Sequence, residues 1–254
     1  MLKRSAWRWA ILVLVAAAFI VWLFNTGWWE AMLRSFFPKL KEVIYPGAPL
    51  IVLVGEHMTL VAISSVLTII IGVGLGIWVT RPSGRSFLPI VNDLTSIGQT
   101  FPPVAVLALA VPLFGFGLVP TVIALFLYGL LPVTRNTIAG IMAVPANLIE
   151  VARGMGMGRL KILARVEIPL AARVILAGVR TSVVINVGTA MIGAVIGAGG
   201  LGSPIIAGLV QFNTAYVIEG AVPAAMLAVW LDQLLANIES TLVYAPVKNN
   251  IKTV

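Results

Sequence analysis

The sequence predicts an all-α integral membrane protein of about six transmembrane helices, with a cytoplasmic loop of two short helices between the fourth and the fifth. Composition is the first observation. Hydrophobic residues are 60% of the 254 and charged residues 10%, at a mean hydropathy of +1.05, which is far too apolar for a soluble domain. The second is length, since at roughly 20 apolar residues per crossing the chain holds about six spans with short connections. The third is charge placement. Lys3, Arg4 and Arg8 precede the first apolar run, Arg81 and Arg85 follow the second, Arg153, Arg159, Lys161, Arg165 and Arg173 gather around one loop, and Lys248 and Lys252 close the chain. Read through the positive-inside bias, these clusters are cytoplasmic. The segments between them then come in pairs, and both termini are cytoplasmic.

Span one covers about 8–25. It resembles a secretory signal in its basic start, but Asn25, Thr26, Gly27, Trp28 and Trp29 follow it where a cleavage site of small residues is needed, so it is expected to stay. A polar external segment comes next, with Glu30, Arg34, Lys39, Lys41, Glu42, Pro46 and Pro49. Residues 1–47 therefore form an N-terminal unit ahead of a main membrane domain, 48–254. Span two, about 57–80, stops at Arg81 and Pro82. Span three, about 87–113, is interrupted at Pro102 and Pro103, where two backbone donors are missing and the preceding residue disfavours helix. A kinked or broken helix is expected, either lining a cavity or serving packing alone. Span four, about 118–143, runs inward to Pro145. Span five, about 172–196, ends in a glycine-rich turn at 197–204, and span six covers about 217–240. That turn matches Gly-x-Gly-x-x-Gly formally, yet no strand or soluble βαβ context surrounds it. The Gly72/Gly76 and Gly193/Gly197 pairs have the spacing that lets helix backbones approach closely.

The loop at about 144–171 is the most informative stretch. Helix-forming residues run from about 146 to 155, Gly154, Gly156 and Gly158 permit positive backbone dihedrals, and Arg159 to Glu167 resume a helix, which Ile168 and Pro169 are expected to end. A loop of this length exceeds the usual connection of about 2–8 residues, and its apolar content argues against disorder. In order it reads Glu150-Val151-Ala152, three residues, Gly156, nine residues, then Val166-Glu167-Ile168-Pro169.

That spacing resembles the Glu-Ala-Ala loop of binding-protein-dependent ABC importer permeases of the MetI-like kind, with Val151, Val166 and Ile168 as mild departures. Gly98 to Ala105, Tyr128 to Pro132, Glu150 to Gly158, Gly178 to Ser182 and Asn186 to Ala190 further resemble the osmoprotectant branch, over about Ala48 to Glu239. The resemblance implies a bacterial inner-membrane permease subunit for glycine betaine, choline or related quaternary ammonium compounds. It implies that Glu150, Ala152, Gly154, Gly156, Gly158, Ile168 and Pro169 dock onto separate ABC ATPase subunits, which bind ATP and Mg, while this chain carries no cofactor. It also implies an extracytoplasmic substrate-binding protein and a second permease subunit, different in the two-permease betaine systems or else a second copy. Another small solute, such as an amino acid, and an ATP-independent carrier or channel are the alternative readings.

Polar stripes at helical spacing mark a candidate translocation path: Asn92, Ser96 and Gln99 on span three, and Ser182, Asn186, Thr189 and Gly193 on span five. Polar glue between helices gives the same pattern. Arg180 and Asp93 lie near the cytoplasmic ends of their spans and are expected to make an ion pair or carbonyl contact. His57 is expected at the interface, as are Trp7, Trp9, Trp22, Trp28 and Trp29, which leaves cation recognition to the binding protein. The charge of +8 is topological, so no nucleic acid is implied. No cysteine is present, and a single histidine without His-Glu-x-x-His or Gly-x-Ser-x-Gly leaves metal hydrolysis and a serine triad without parts.

Overall fold

The computed structural model describes residues 2–242, so Lys248 and Lys252 lie outside the described residues. Among the described residues every regular element is helical. The α-helices in chain order are α1 (Leu2–Phe24), α2 (Thr26–Phe36), α3 (Leu50–Val79), α4 (Leu88–Thr100), α5 (Pro103–Phe114), α6 (Leu118–Met142), α7 (Ala146–Gly154), α8 (Arg159–Ile162), α9 (Ile168–Ala190), α10 (Gly202–Val210) and α11 (Thr214–Leu242). Five helices are long and apolar enough to cross a bilayer, and six crossings result if the bent α4–α5 pair is one.

The pair does pass from one end of the bundle to the other. Arg81, just past α3, sits 2.7 Å from Glu167 in the loop between α6 and α9. At the other end of the pair, the Gly117 N–H donates to the Ile196 carbonyl at the far end of α9's apolar run. The expected break is present as a 97° bend, with Pro102 in extended geometry capping α5 and Pro103 in its first turn, where a missing N–H costs no helical bond.

Central packing is built on α6, which lies along both α3 and α9. Gly72 and Gly76 of α3 make that approach possible, because a Cβ on Gly72 would lie 2.9 Å from Val133 and one on Gly76 would lie 2.6 Å from Thr137. Gly193 likewise packs on Thr121, whereas Gly197 has open space around it and takes a positive φ at the end of a 3-10 turn over Met191–Ile196. The expected Gly193/Gly197 pair is thus one packing glycine and one cap.

Several boundaries differ from expectation for local reasons. The segment after α1 contains α2, because the Asn25 side chain accepts from the Trp28 N–H and caps a helix whose Trp29 and Leu33 are buried one turn apart. α3 starts at Leu50, directly after Pro49. Its 30 residues reach about 45 Å, longer than a bilayer core of about 30 Å, so its first turns extend to pack on α1 and α2 in one shared core. The glycine-rich turn is followed by α10, a short apolar helix folded against α11. Ile168 and Pro169 do not end a helix. Leu163–Glu167 form a π turn that runs straight into α9. Pro169 has no N–H to offer the preceding turn, and a widened turn accommodates it.

Candidate functional site

Two short helices and an elbow make up the loop at one end of the bundle. α7 opens after Pro145 and closes with the Met155 N–H bonded to the Val151 carbonyl and the Met157 N–H bonded to the Ala152 carbonyl. Gly156 between them has φ of +77°, and nothing stands within 4 Å of where its Cβ would be. Glycine is needed there for its dihedral, not for space. Gly158 has an ordinary negative φ and Gly154 belongs to α7, so one of the three expected hinge glycines bends the chain.

The outward face of this element is chemically mixed. Leu148, Val151 and Met155 recur along one face of α7, and Leu160 follows on α8, all exposed, with Leu160 at 81% and Met155 at 70%. Arg153, Arg159, Lys161 and Arg165 are exposed around them, as is Glu150, while Ala152 and Ile162 turn inward and are buried. An apolar stripe rimmed by charge, on a segment whose basic residues mark it as outside the hydrocarbon, is the pattern of a protein docking surface.

One ion pair ties the loop to α3, and two more join α9 to α11. Glu167 is buried and meets Arg81 off the hydrogen-bond axis, joining the π turn to the end of α3. Arg180 of α9 makes a bidentate contact with Asp232 of α11 at 2.5 and 2.6 Å, the ion pair expected of it, and Arg173 reaches Glu239 at 3.4 Å. Asp93 is exposed and makes no ion pair among the described residues. Sequence reasoning had no signal for the Arg81 and Glu167 pairing, since 86 positions separate partners that only the tertiary fold brings together.

The two polar stripes lie in different seams. Asn186 is buried and its amide donates to Ser64 and Ser65 of α3 at 3.3 Å each. Ser182 is buried beside Gly129 of α6, and Gly193 is packed on Thr121. Thr189 is half-buried. His57 belongs to the same α3–α9 seam, fully buried, with Nε2 3.0 Å from the Val187 carbonyl. It is not interfacial, because α3 begins two turns before it. On α4, Asn92, Ser96 and Gln99 are half-buried. Gln99 donates to the Tyr128 carbonyl at 2.7 Å, and Arg135, a residue the sequence did not single out, donates to Ser96 at 2.8 Å. The structure therefore groups Ser182 and Asn186 inside the helix packing and leaves Asn92, Ser96 and Gln99 facing partly outward.

The family described as binding-protein-dependent transport system inner membrane component matches residues 72–244. The osmoprotectant import permease protein OsmY of Salmonella typhimurium is 37% identical over 235 residues, 92% of this chain and 93% of that one. The glycine betaine/carnitine/choline transport system permease protein OpuCB of Bacillus subtilis is 43% identical over 190 residues, 75% and 87% of the two chains. OsmW, another osmoprotectant import permease protein of Salmonella typhimurium, is 41% identical over 192 residues, 74% and 88% of the two chains. The match with OsmY is longer than residues 48–254 and so reaches into the N-terminal helices. Among solved structures, the inward-facing MetNI methionine ABC transporter aligns at a TM-score of 0.68 over 77% of this chain and 96% of that chain, at 22% identity. That likeness concerns the fold.

Proposed function

The chain belongs to the family of binding-protein-dependent transport system inner membrane components, and on that premise we propose that it is the transmembrane permease subunit of an ATP-driven importer for glycine betaine, choline or a related quaternary ammonium osmoprotectant. The observation that carries the reading is the exposed apolar stripe of α7 beside the Gly156 elbow. A partner ATPase, which binds ATP and Mg, seats this element. Its closure moves α9 through the continuous π turn, α3 through Arg81 and Glu167, and α11 through Arg180 and Asp232. The substrate class comes from relatives at about 40% identity named for osmoprotectants, betaine, carnitine and choline. Likeness to two different permeases of one organism favours a different second permease subunit over a second copy. The outward-facing Asn92, Ser96 and Gln99 line the path, while Ser182, Asn186 and Gly193 hold the helices together and Thr189 borders both.

Uptake of labelled glycine betaine into proteoliposomes holding the chain with its copurified partners, with and without lumenal ATP, tests this. ATP-dependent uptake is expected, and Gly156→Trp should abolish it together with ATPase copurification while membrane insertion stays normal. Nothing within the chain occupies the space at Gly156, but a tryptophan at φ of +77° strains the elbow, so the substitution disturbs the docking face through its backbone as well as its bulk. Uptake indifferent to ATP would point to a carrier or channel. ATPase activity stimulated only by another solute and its binding protein would keep the permease and replace the substrate.

A further inference from the structure

At the end of the bundle opposite the loop, the N-terminal helices close a cavity of about 260 Å³ against the start of α3 and the first turns of α11. Trp22, Trp29 and Tyr45 contribute aromatic rings to its wall, and Glu219 contributes a carboxylate. Trp22 and Trp29 meet edge to face at 4.6 Å, and Tyr45 meets Tyr216 the same way at 5.9 Å. The aromatic residues expected as interface anchors are thus partly turned inward, Trp29 being 3% exposed.

Two groups in this wall lack the partners that burial demands. Glu219 is 2% exposed. Its Oε2 accepts from the Tyr45 N–H at 2.7 Å, but no lysine, arginine or histidine pairs with it among the described residues. A buried carboxylate inside a membrane protein ordinarily needs a cation. Glu42, exposed and outside the cavity wall, accepts from the Tyr216 hydroxyl at 3.0 Å. The neighbouring Lys39 and Lys41 are exposed. Trp29 is the other group, since its indole Nε1–H is buried without an acceptor. Aromatic rings beside an uncompensated acid form the chemistry that holds an ammonium too substituted to donate hydrogen bonds. A free N–H on the same wall suits the carboxylate of a zwitterion.

We propose that this cavity is a binding site on the permease itself for a small quaternary ammonium group, with Trp22, Trp29 and Tyr45 around the methyl groups and Glu219 as counter-charge. That the occupant is the transported osmolyte rests on the function proposed above. The site does not, because a choline headgroup of a lipid carries the same cation.

The test is binding of radiolabelled choline to the purified permease–ATPase complex, without binding protein, in nanodiscs of phosphatidylethanolamine and phosphatidylglycerol. Saturable binding is expected, with the neutral isostere 3,3-dimethyl-1-butanol a poor competitor. Glu219→Gln keeps an oxygen for the Tyr45 N–H while removing the charge, and should weaken binding about tenfold or more, as should Trp22→Leu. If Glu219→Gln fails to fold by size-exclusion chromatography, Trp22→Leu carries the test. Displacement of choline when phosphatidylcholine is added to the nanodiscs supports the site with a lipid headgroup as its occupant, and no displacement supports a free solute. Absence of saturable binding, or binding indifferent to both substitutions, overturns the site. ATP-driven betaine uptake with binding protein present would in that case leave the function standing. Choline binding without ATP-driven betaine uptake would do the reverse.

Discussion

The Arg180 and Asp232 pair is the clearest single-residue feature of the membrane region. Both side chains are about a third exposed, so the pair falls between an open surface bridge of about 0–1 kcal/mol and a buried one whose breakage costs about 3–5 kcal/mol. A double-mutant cycle with Arg180→Leu and Asp232→Leu should return a coupling of about 1–3 kcal/mol in thermal unfolding. A coupling near zero would mean that arginine reaches the headgroups and the contact does no structural service. Asn186 illustrates the opposite case of a residue legible as polar but not as to role. The sequence places it on a stripe with Ser182, yet whether that stripe faces a path or another helix depended on where α3 put Ser64 and Ser65.

Among the elements, the broken α4–α5 pair was legible because proline acts locally: two consecutive imides cannot supply helical donors whatever surrounds them. Continuous helix from Leu88 to Leu113 would separate spin labels at its ends by about 37 Å at 1.5 Å per residue, whereas a right-angled pair of the same length separates them by about 25 Å. Restoring donors with Pro102→Ala and Pro103→Ala together is expected to lengthen the measured electron-spin distance toward the larger value. A distance that stays short would assign the bend to packing against α6 instead. α2 and α10 were not legible. Each is short and takes its helical order from burial against distant partners, α2 in the core around α3 and α10 on α11, and short helices of this kind are marginal without tertiary contact. The loop between α6 and α9 was half legible. Its two helices and elbow follow from composition and Gly156, but its second helix merges into α9 through a π turn that no periodicity announces.

For the whole molecule, α9 separates the loop from the α10–α11 turn and places them at opposite ends of the bundle. The absence of cysteine makes this directly testable. In cells that lack the partner ATPase, a single cysteine at Phe212, which is 92% exposed, should react with a membrane-impermeant maleimide while the cells are intact, and one at Met155 should react only after permeabilisation. Labelling of both from one side would mean that α9, the one candidate span between the two positions, does not cross. The sequence by itself determined that the chain is built of apolar helices long enough to cross a bilayer, where prolines and basic residues set their boundaries, and which long connection forms two short helices around a glycine elbow. Those properties follow from hydropathy, missing donors and charge, which act within a few residues of their source. Only the tertiary structure decided that His57 and Asn186 are sealed between helices, that Arg81 holds Glu167, and that Trp22, Trp29, Tyr45 and Glu219 enclose one cavity. Partners drawn from opposite ends of the chain meet through helix packing, and packing depends on side-chain shape across several elements at once, which no local pattern records.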